Sequence, residues 1–256
     1  MVTQIYAIAV NTFRDAVRDR VLMVFSGAAV ILLLFSTILG DMSVGGKERI
    51  IQNMGYAVFG LWGLFCIVYM GGNTIQRELH LKTVYMTLSR PVRRSTFMLG
   101  KLLGINLVLS ALCLLLLLII GVVYLSSGIK ISSILLIAYG FIWGEWILLS
   151  AISLFFASFT TPLLHGFFLT AVYVLGHWAR DLFTFARNTD SALLKNVLLT
   201  LYYGIPNLDS LSFRAAALYN ETVSVGTYVA AAGILFLWTL FFTLCAIGIF
   251  QTRSIK

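Results

Sequence analysis

Residues 97–125 read FMLGKLLGINLVLSALCLLLLLIIGVVYL, an apolar run whose only charged residue is Lys101. A helix that crosses the hydrocarbon core of a bilayer needs about 20 mostly apolar residues, so this run is long enough to span a membrane. The whole chain is 60% hydrophobic and only 11% charged, whereas soluble domains are about 45–50% apolar and about 25% charged. So few charges cannot cover a soluble surface, and the sequence therefore predicts an all-α membrane protein.

Five other apolar runs accompany this one, and together they predict six transmembrane helices in a single domain, residues 1–256. The fifth run is the shortest and contains His165 and His177. The predicted spans, in chain order, are residues 21–39, 54–75, 97–125, 134–159, 163–179 and 228–250.

The basic residues follow the pattern of membrane topology rather than that of a nucleic-acid-binding protein. The net charge is +8, but Lys and Arg lie in short stretches between the apolar runs, and such loops are positive on the cytoplasmic side. With the amino terminus inside, the cytoplasmic stretches hold Arg14, Arg18, Arg20, Arg77, Lys82, Arg90, Arg93, Arg94, Lys101, Arg253 and Lys256. The short outer loops hold Lys47, Arg49 and Lys130. We expect both termini in the cytoplasm, contacts with membrane lipids, and no nucleic-acid partner.

Three segments outside the spans carry further information. Residues 4–20 place apolar side chains on one helical stripe, which predicts an amphipathic helix lying on the inner leaflet before the first span. Residues 76–96 form the longest inner loop, which is strongly basic and in which Pro91 would end a short helix. Residues 180–226 form an outer segment that is too long for a turn and too apolar for a free loop.

The outer segment is expected to contain short helices on, or dipping into, the outer leaflet. Thr189 or Asp190 is positioned to cap a helix that Gly204 and Pro206 would end. A second short helix is expected over residues 211–219.

The inner loop is the most specific part of the sequence. It contains an acidic residue, a threonine, a Leu-Ser-x-Pro sequence and a later Gly-Lys pair, contributed by Glu78, Thr83, Leu88, Ser89, Pro91, Gly100 and Lys101, with Arg94 between them. This spacing resembles the loop after the second span of ABC-2-type permeases. The sequence differs at Lys82, where many members of that family have glycine.

Two further segments resemble the same family. Residues 157–162, ASFTTP, are similar to the junction after the fourth span. Residues 201–209, LYYGIPNLD, resemble an outer Tyr-x-x-Pro-Asn-Leu segment. That segment is found in the subgroup linked to multicopper-enzyme maturation, which includes the permease of nitrous oxide reductase assembly. With six spans and an amphipathic amino terminus, the resemblance covers essentially the whole chain.

The resemblance implies the permease subunit of an ATP-driven transporter, an exporter in the cytoplasmic membrane of a bacterium or archaeon. The chain itself is then not an enzyme and holds no cofactor. The Gly100–Lys101 pair lacks the glycine and the Ser or Thr of a phosphate-binding loop, so ATP and Mg would be bound by a partner ATPase. Two ATPase copies, a second permease copy as a homodimer, and an accessory protein outside the membrane are the implied partners.

The resemblance also implies roles for particular residues. Contact with the ATPase would fall to Arg77, Glu78, Lys82, Thr83, Leu88, Pro91 and Arg94. The outer gate would include Tyr202, Tyr203, Pro206 and Asn207.

Glu145 lies near the middle of the fourth predicted span, where an ionisable group is costly and faces protein or water. One interpretation is a substrate or proton contact in the translocation path. The other is a packing role, with the carboxyl held protonated or hydrogen-bonded to Ser or Trp neighbours. His165 and His177 are too far apart on a straight helix to bind one metal ion, and no metal site is predicted.

Three other functions remain open at this point. The first is an intramembrane enzyme acting on a lipid-linked substrate with His177, Arg180, Asp181 and Glu145, although no DDxxD, HExxH or Gly-x-Ser-x-Gly pattern occurs. The second is an ATP-independent channel or secondary transporter, although the sequence lacks matching broken helices in two repeats. The third is a scaffold that transports nothing. The substrate is not specified by the sequence.

Overall fold

The structure is a computed structural model that describes residues 2–43, 45–80 and 93–252, with the side chains of residues 73–80 left out. The described part is helical and contains no β-strand. Its helices are α1 Val2–Val17, α2 Arg20–Asp41, α3 Lys47–His80, α4 Arg94–Ser126, α5 Ser133–Ala157, α6 Pro162–His177, α7 Ala179–Asn188, α8 Ala192–Gly204, α9 Arg214–Tyr219 and α10 Val225–Thr252. A 3₁₀ turn, Asp209–Leu211, lies between α8 and α9. The prediction of an all-α fold is confirmed for this part of the chain.

Five of these helices are long and apolar enough to cross a membrane: α2, α3, α4, α5 and α10. In α3 the apolar portion is Lys47–Gly72. These helices are consistent with the multi-pass membrane protein predicted from composition. The fifth predicted run forms α6, which has 16 residues and is shorter than the other apolar helices.

The central helices of the bundle are α3 and α5. Half of the apolar window of each is buried, against 22% for α2 and α10. The difference follows from composition. Glycine and polar aromatic residues allow α3 and α5 to pack closely on protein, whereas the side chains of α2 and α10 are apolar enough to face lipid.

The amino-terminal helix α1 packs along α4, where it buries Ala9 and Thr12. The contact uses the small-residue pair Gly100 and Gly104. A β-carbon at Gly100 would lie 2.7 Å from the β-carbon of Ile8, and one at Gly104 would lie 2.6 Å from the β-carbon of Thr12. The predicted amphipathic helix therefore forms, and two glycines of α4 allow its close approach.

The outer segment between α6 and α10 folds into α7, α8, the 3₁₀ turn and α9, with α8 packed on α7. The expectation that Thr189 or Asp190 caps the second of these helices is wrong. The cap is Ser191, whose side chain accepts a hydrogen bond from the amide of Leu194. The error is one or two residues, because several neighbouring polar side chains can each cap a helix. The helix ends at Gly204 as expected.

Candidate functional site

Polar side chains of α5 and α6 fit against glycines of α3. A β-carbon at Gly63 would overlap the Trp146 indole nitrogen, and one at Gly55 would approach the Tyr139 hydroxyl. At Gly71 the missing side chain leaves room for both Ser153 and His165. Tyr139, Trp146 and Ser153 recur every seven residues and so share one face of α5. The glycines of α3 therefore let large or polar groups of its neighbours reach the centre of the bundle.

His165 lies at the Gly71 end of this seam and is completely buried. Its Nε2 is 2.9 Å from the Ser153 hydroxyl oxygen, whereas its Nδ1 has no hydrogen-bond partner within the part of the chain that the structure describes. The contact joins α5 to the first turns of α6. His165 is thus a buried side chain that joins α6 to α5 through Ser153.

Glu145 is buried near the middle of α5, with 7% of its side chain exposed. Its Oε1 lies 3.7 Å from Nε2 of His177, the last residue of α6. A hydrogen bond to a Ser or Trp neighbour was one of the two interpretations of Glu145, but Oε1 makes no hydrogen bond within residues 2–43, 45–80 and 93–252. The structure therefore forms a carboxyl–imidazole pair that sequence spacing did not indicate.

His177 is held from its other side by its own helix. Its Nδ1 is 3.1 Å from the backbone oxygen of Tyr173, and the Tyr173 ring lies 4.4 Å from the imidazole, centroid to centroid. The helix ends directly after this residue, because Trp178 has φ −95° and ψ 12°, outside the helical range. The imidazole is consequently fixed at the junction of α6 and the outer segment.

The predicted gate residues lie in two different places. Tyr202 contacts Phe183 of α7, with ring centroids 5.1 Å apart, and Tyr203 is exposed. Pro206 is buried, and the side-chain oxygen of Asn207 accepts a hydrogen bond from the amide of Ser210. Tyr202 therefore joins α8 to α7, Tyr203 contacts Tyr202 edge to face with ring centroids 5.1 Å apart, and Pro206 and Asn207 shape the turn that follows.

This turn docks on the end of α6. The amide of Leu208 donates to the backbone oxygen of Gly176, 3.1 Å away. A β-carbon at Gly176 would lie 2.7 Å from Leu208 Cγ and 2.9 Å from the Pro206 oxygen. Arg180, in the first turn of α7, pairs with Asp209 at 3.0 Å. Of the four residues considered for an intramembrane enzyme, Glu145 and His177 meet, while Arg180 pairs with Asp209 and Asp181 is exposed.

The predicted ATPase-contacting residues are only partly within the described residues. Arg77 and Glu78 lie in the last turns of α3, where the backbone alone is described, and Lys82, Thr83, Leu88 and Pro91 lie outside the described residues. Arg94 begins α4 and donates to the backbone oxygens of Phe250 and Gln251, at 3.3 Å and 2.9 Å. Those oxygens belong to the end of α10, which lacks internal partners and carries partial negative charge.

A lateral groove of about 590 Å³ opens between α2, α3 and α6. Its walls are apolar apart from Thr170. Trp62 also lines the groove, and its indole nitrogen has no hydrogen-bond partner within the described part of the chain. Glu145, predicted for the translocation path, does not line this groove.

Among the described residues, no group of three or more His, Cys, Asp or Glu side chains is placed to hold a metal ion. Comparison with known proteins finds no matching family model and no curated protein of significant similarity.

Proposed function

We propose that this chain is the permease subunit of an ATP-driven exporter, which forms the translocation path as a dimer and is coupled to two copies of a separate ATPase. The sequence support is the resemblance of residues 76–101, 157–162 and 201–209 to ABC-2-type permeases. The structural observation that supports it best is the length of α3, which joins the centre of the bundle to the predicted ATPase-contacting loop.

Helix α3 is much longer than a bilayer requires. Its 34 residues correspond to about 51 Å at 1.5 Å per residue, whereas the hydrocarbon core is about 30 Å thick. About 20 Å of continuous helix is therefore left for the two surfaces, and its last turns carry Arg77 and Glu78. A stiff helix of this kind can transmit a rigid-body movement of an ATPase to the membrane.

The packing of α3 directs such a movement into the bundle. Gly55, Gly63 and Gly71 fit against polar side chains of α5 and α6, so displacement of α3 would carry these helices with it. On the neighbouring side, α1 and the end of α10 are both attached to the first part of α4. The cytoplasmic side thus has two connected groups of helices on which an ATPase can act.

The proposed topology has six spans, with α6 as the fifth and both termini in the cytoplasm. At 16 residues, α6 is about 24 Å long, and a short span is accommodated by local thinning of the bilayer or by anchors at its ends. The exposed Trp178 directly follows α6 and is suited to anchor it at the outer interface. In this topology α1 lies at the inner leaflet, and α7 and α8 lie at the outer one.

The groove between α2, α3 and α6 favours an apolar or amphipathic cargo. Its walls offer Thr170 and the Trp62 indole N–H as hydrogen-bonding groups among apolar side chains. A highly charged cargo would lose its bound water there and would find too few hydrogen-bonding groups to replace it. The proposed gate for this cargo is the outer segment with Tyr202, Tyr203, Pro206 and Asn207.

Purification from the native membrane in mild detergent tests the coupling. We expect a Walker-motif ATPase to co-elute at one copy per permease, together with ATP hydrolysis. Reversal of charge at the end of α3, Glu78→Arg, should abolish co-elution. The matched change Lys130→Glu, in a predicted outer loop, should preserve it. Elution of the intact chain alone, without ATPase activity, would refute the proposal.

One observation favours a second candidate, an ion-driven carrier. Buried ionisable pairs such as Glu145 and His177 line proton pathways in carriers. Cargo movement in proteoliposomes that requires a proton gradient and no ATP would select this function over the first.

A further inference from the structure

The Glu145–His177 pair brings two hydrogen-bond acceptors together unless a proton lies between them. The Tyr173 carbonyl oxygen can only accept a hydrogen bond, so the proton of a neutral His177 ring belongs on Nδ1, which faces that oxygen at 3.1 Å. The other nitrogen, Nε2, then has a bare lone pair. An ionised carboxylate also only accepts. The 3.7 Å approach of Glu145 Oε1 to Nε2 is therefore attractive only when one of the two groups carries an additional proton.

Burial makes this proton necessary. Only 7% of the Glu145 side chain is exposed, and Oε1 makes no hydrogen bond within the described residues. An isolated carboxylate is strongly disfavoured in such surroundings. A proton on Glu145 gives a neutral O–H donor facing Nε2, and a proton on His177 gives an imidazolium facing a carboxylate. Both arrangements hold one proton and leave the pair without net charge.

Few other charged groups lie where they could stabilise an ionised Glu145 in place of that proton. Asp209 interacts electrostatically with His177 but is itself paired with Arg180 at 3.0 Å. Arg214 of α9 interacts electrostatically with Tyr173. Its guanidinium donates a hydrogen bond to the side-chain oxygen of Asn53 in α3.

The remaining helices packed on α5 or α6 add no nearby charge. The residues of α10 include no Asp, Glu, Lys or Arg, and α4 has only Arg94 and Lys101, both near its first turns. The charged residues of α3 lie in its first turn, with Lys47, Glu48 and Arg49, or at its far end, with Arg77 and Glu78. Besides Tyr173, Tyr56 of α3 and Tyr139 of α5 also interact electrostatically with Arg214.

The pair lies directly beneath the docking point of the outer segment. Gly176 precedes His177, and its backbone oxygen accepts the amide of Leu208, while its missing side chain makes room for Leu208 and Pro206. Any displacement of the last turn of α6 therefore changes the surface on which residues 205–211 rest. Loss of the proton would place a buried carboxylate against a bare nitrogen and push this turn away from α5.

We propose that Glu145 and His177 form a proton-binding site, and that its occupancy controls the docking of residues 205–211 on the end of α6. With the proton bound, α6 is held against α5 and the outer segment is docked. When the proton leaves, the two acceptors repel and the outer segment is released. This proton site would act in the same way whether the energy for transport comes from ATP or from an ion gradient.

Hydrogen exchange of the full-length protein in lipid nanodiscs tests the proposal. Protection of residues 205–211 is followed across a pH series and corrected for the intrinsic pH dependence of exchange, while infrared spectroscopy follows the carboxyl band. We expect the protection of residues 205–211 to fall on the order of tenfold as the pH rises, which corresponds to about 1.4 kcal/mol of docking free energy. The loss of a protonated carboxyl band should accompany this fall.

Two variants test whether the Glu145–His177 pair itself causes the pH response. In Glu145→Gln the amide N–H can donate to Nε2 as the protonated carboxyl does, so residues 205–211 should stay protected at every pH. In His177→Phe the ring stacking on Tyr173 is retained without the acceptor nitrogen, and the pH response should likewise disappear. The second variant keeps the test decisive if the first does not fold.

Two controls identify the titrating group. Glu221→Gln removes an exposed carboxyl between α9 and α10 and should keep the wild-type pH response. Asp209→Asn removes the partner of Arg180 and should keep a response, at a shifted midpoint. A wild-type protein without pH response, or a Glu145→Gln profile that matches the wild type, would overturn the proposal.

Discussion

The close contact between α1 and α4 can be tested with Gly104→Ala. A β-carbon at this position would lie 2.6 Å from the β-carbon of Thr12 and 3.0 Å from the backbone oxygen of Ala9. Neither atom is the end of a flexible side chain, so the helix axes must separate. Overpacking of this kind costs about 1–3 kcal/mol.

A matched variant removes the effect of helix propensity from this estimate. Replacing glycine by alanine in a helix contributes about 1 kcal/mol in the opposite direction, and the same term applies to Gly140→Ala in α5. Nothing lies within 4 Å of a β-carbon at Gly140. The free energy of unfolding should therefore be about 1–3 kcal/mol lower for Gly104→Ala than for Gly140→Ala.

Equilibrium unfolding in mixed micelles measures this difference, and hydrogen exchange locates it. We expect the amides of α1 to exchange faster in Gly104→Ala and at the wild-type rate in Gly140→Ala. Equal unfolding free energies for the two variants, with unchanged exchange in α1, would refute the close packing of α1 on the glycines of α4.

Three other predictions follow from single contacts. Arg94→Ala should release the last carbonyls of α10 and lower the free energy of unfolding by about 1 kcal/mol, because these hydrogen bonds are largely accessible to solvent; faster exchange limited to the end of α10 would locate the loss. Arg214→Ala should detach α9 from Asn53 at a cost of about 1 kcal/mol, because this contact is solvent-exposed; unchanged exchange of residues 214–219 would contradict the contact. Glu145→Gln should insert into the membrane normally but lower transport in proteoliposomes, and transport at the wild-type rate would remove Glu145 from the functional site. For both arginine variants, Arg187→Ala is the control, since Arg187 is exposed on α7 and stacks on Phe183.

The helical fold and its membrane character were predictable because both depend on local properties of the chain. Long apolar runs with few charges can satisfy their backbone in lipid only as helices, and α2, α4, α5 and α10 follow the predicted runs closely. The positions of α1 and of the end of α8 were also predictable, from helical periodicity and from Gly204. The short α7 was missed although Ala179, Leu182, Phe183 and Ala186 form a helical stripe, because the helix has only ten residues and follows α6 after a single residue.

The candidate site was predictable only in part. Glu145 was recognisable because an ionisable residue in an apolar run is unusual. Its partner was not, since His177 is 32 positions away and α6 could have faced α5 with any of its sides. Arg94 was assigned to ATPase contact through the family resemblance, and its hydrogen bonds to the end of α10 could not be read from residues that lie more than 150 positions apart.

The sequence by itself determined that lipid is the solvent of this protein, which segments become helices, and where an ionisable group is buried. These properties are set by the composition and length of each run. Only the tertiary structure decided that Glu145 faces His177, that α3 receives Tyr139 and Trp146 at Gly55 and Gly63, and that the outer segment rests on Gly176. The physical reason is that helices apolar on all sides carry no stripe to define which face packs, so rotation and partners are selected by shape and hydrogen bonding when the bundle assembles.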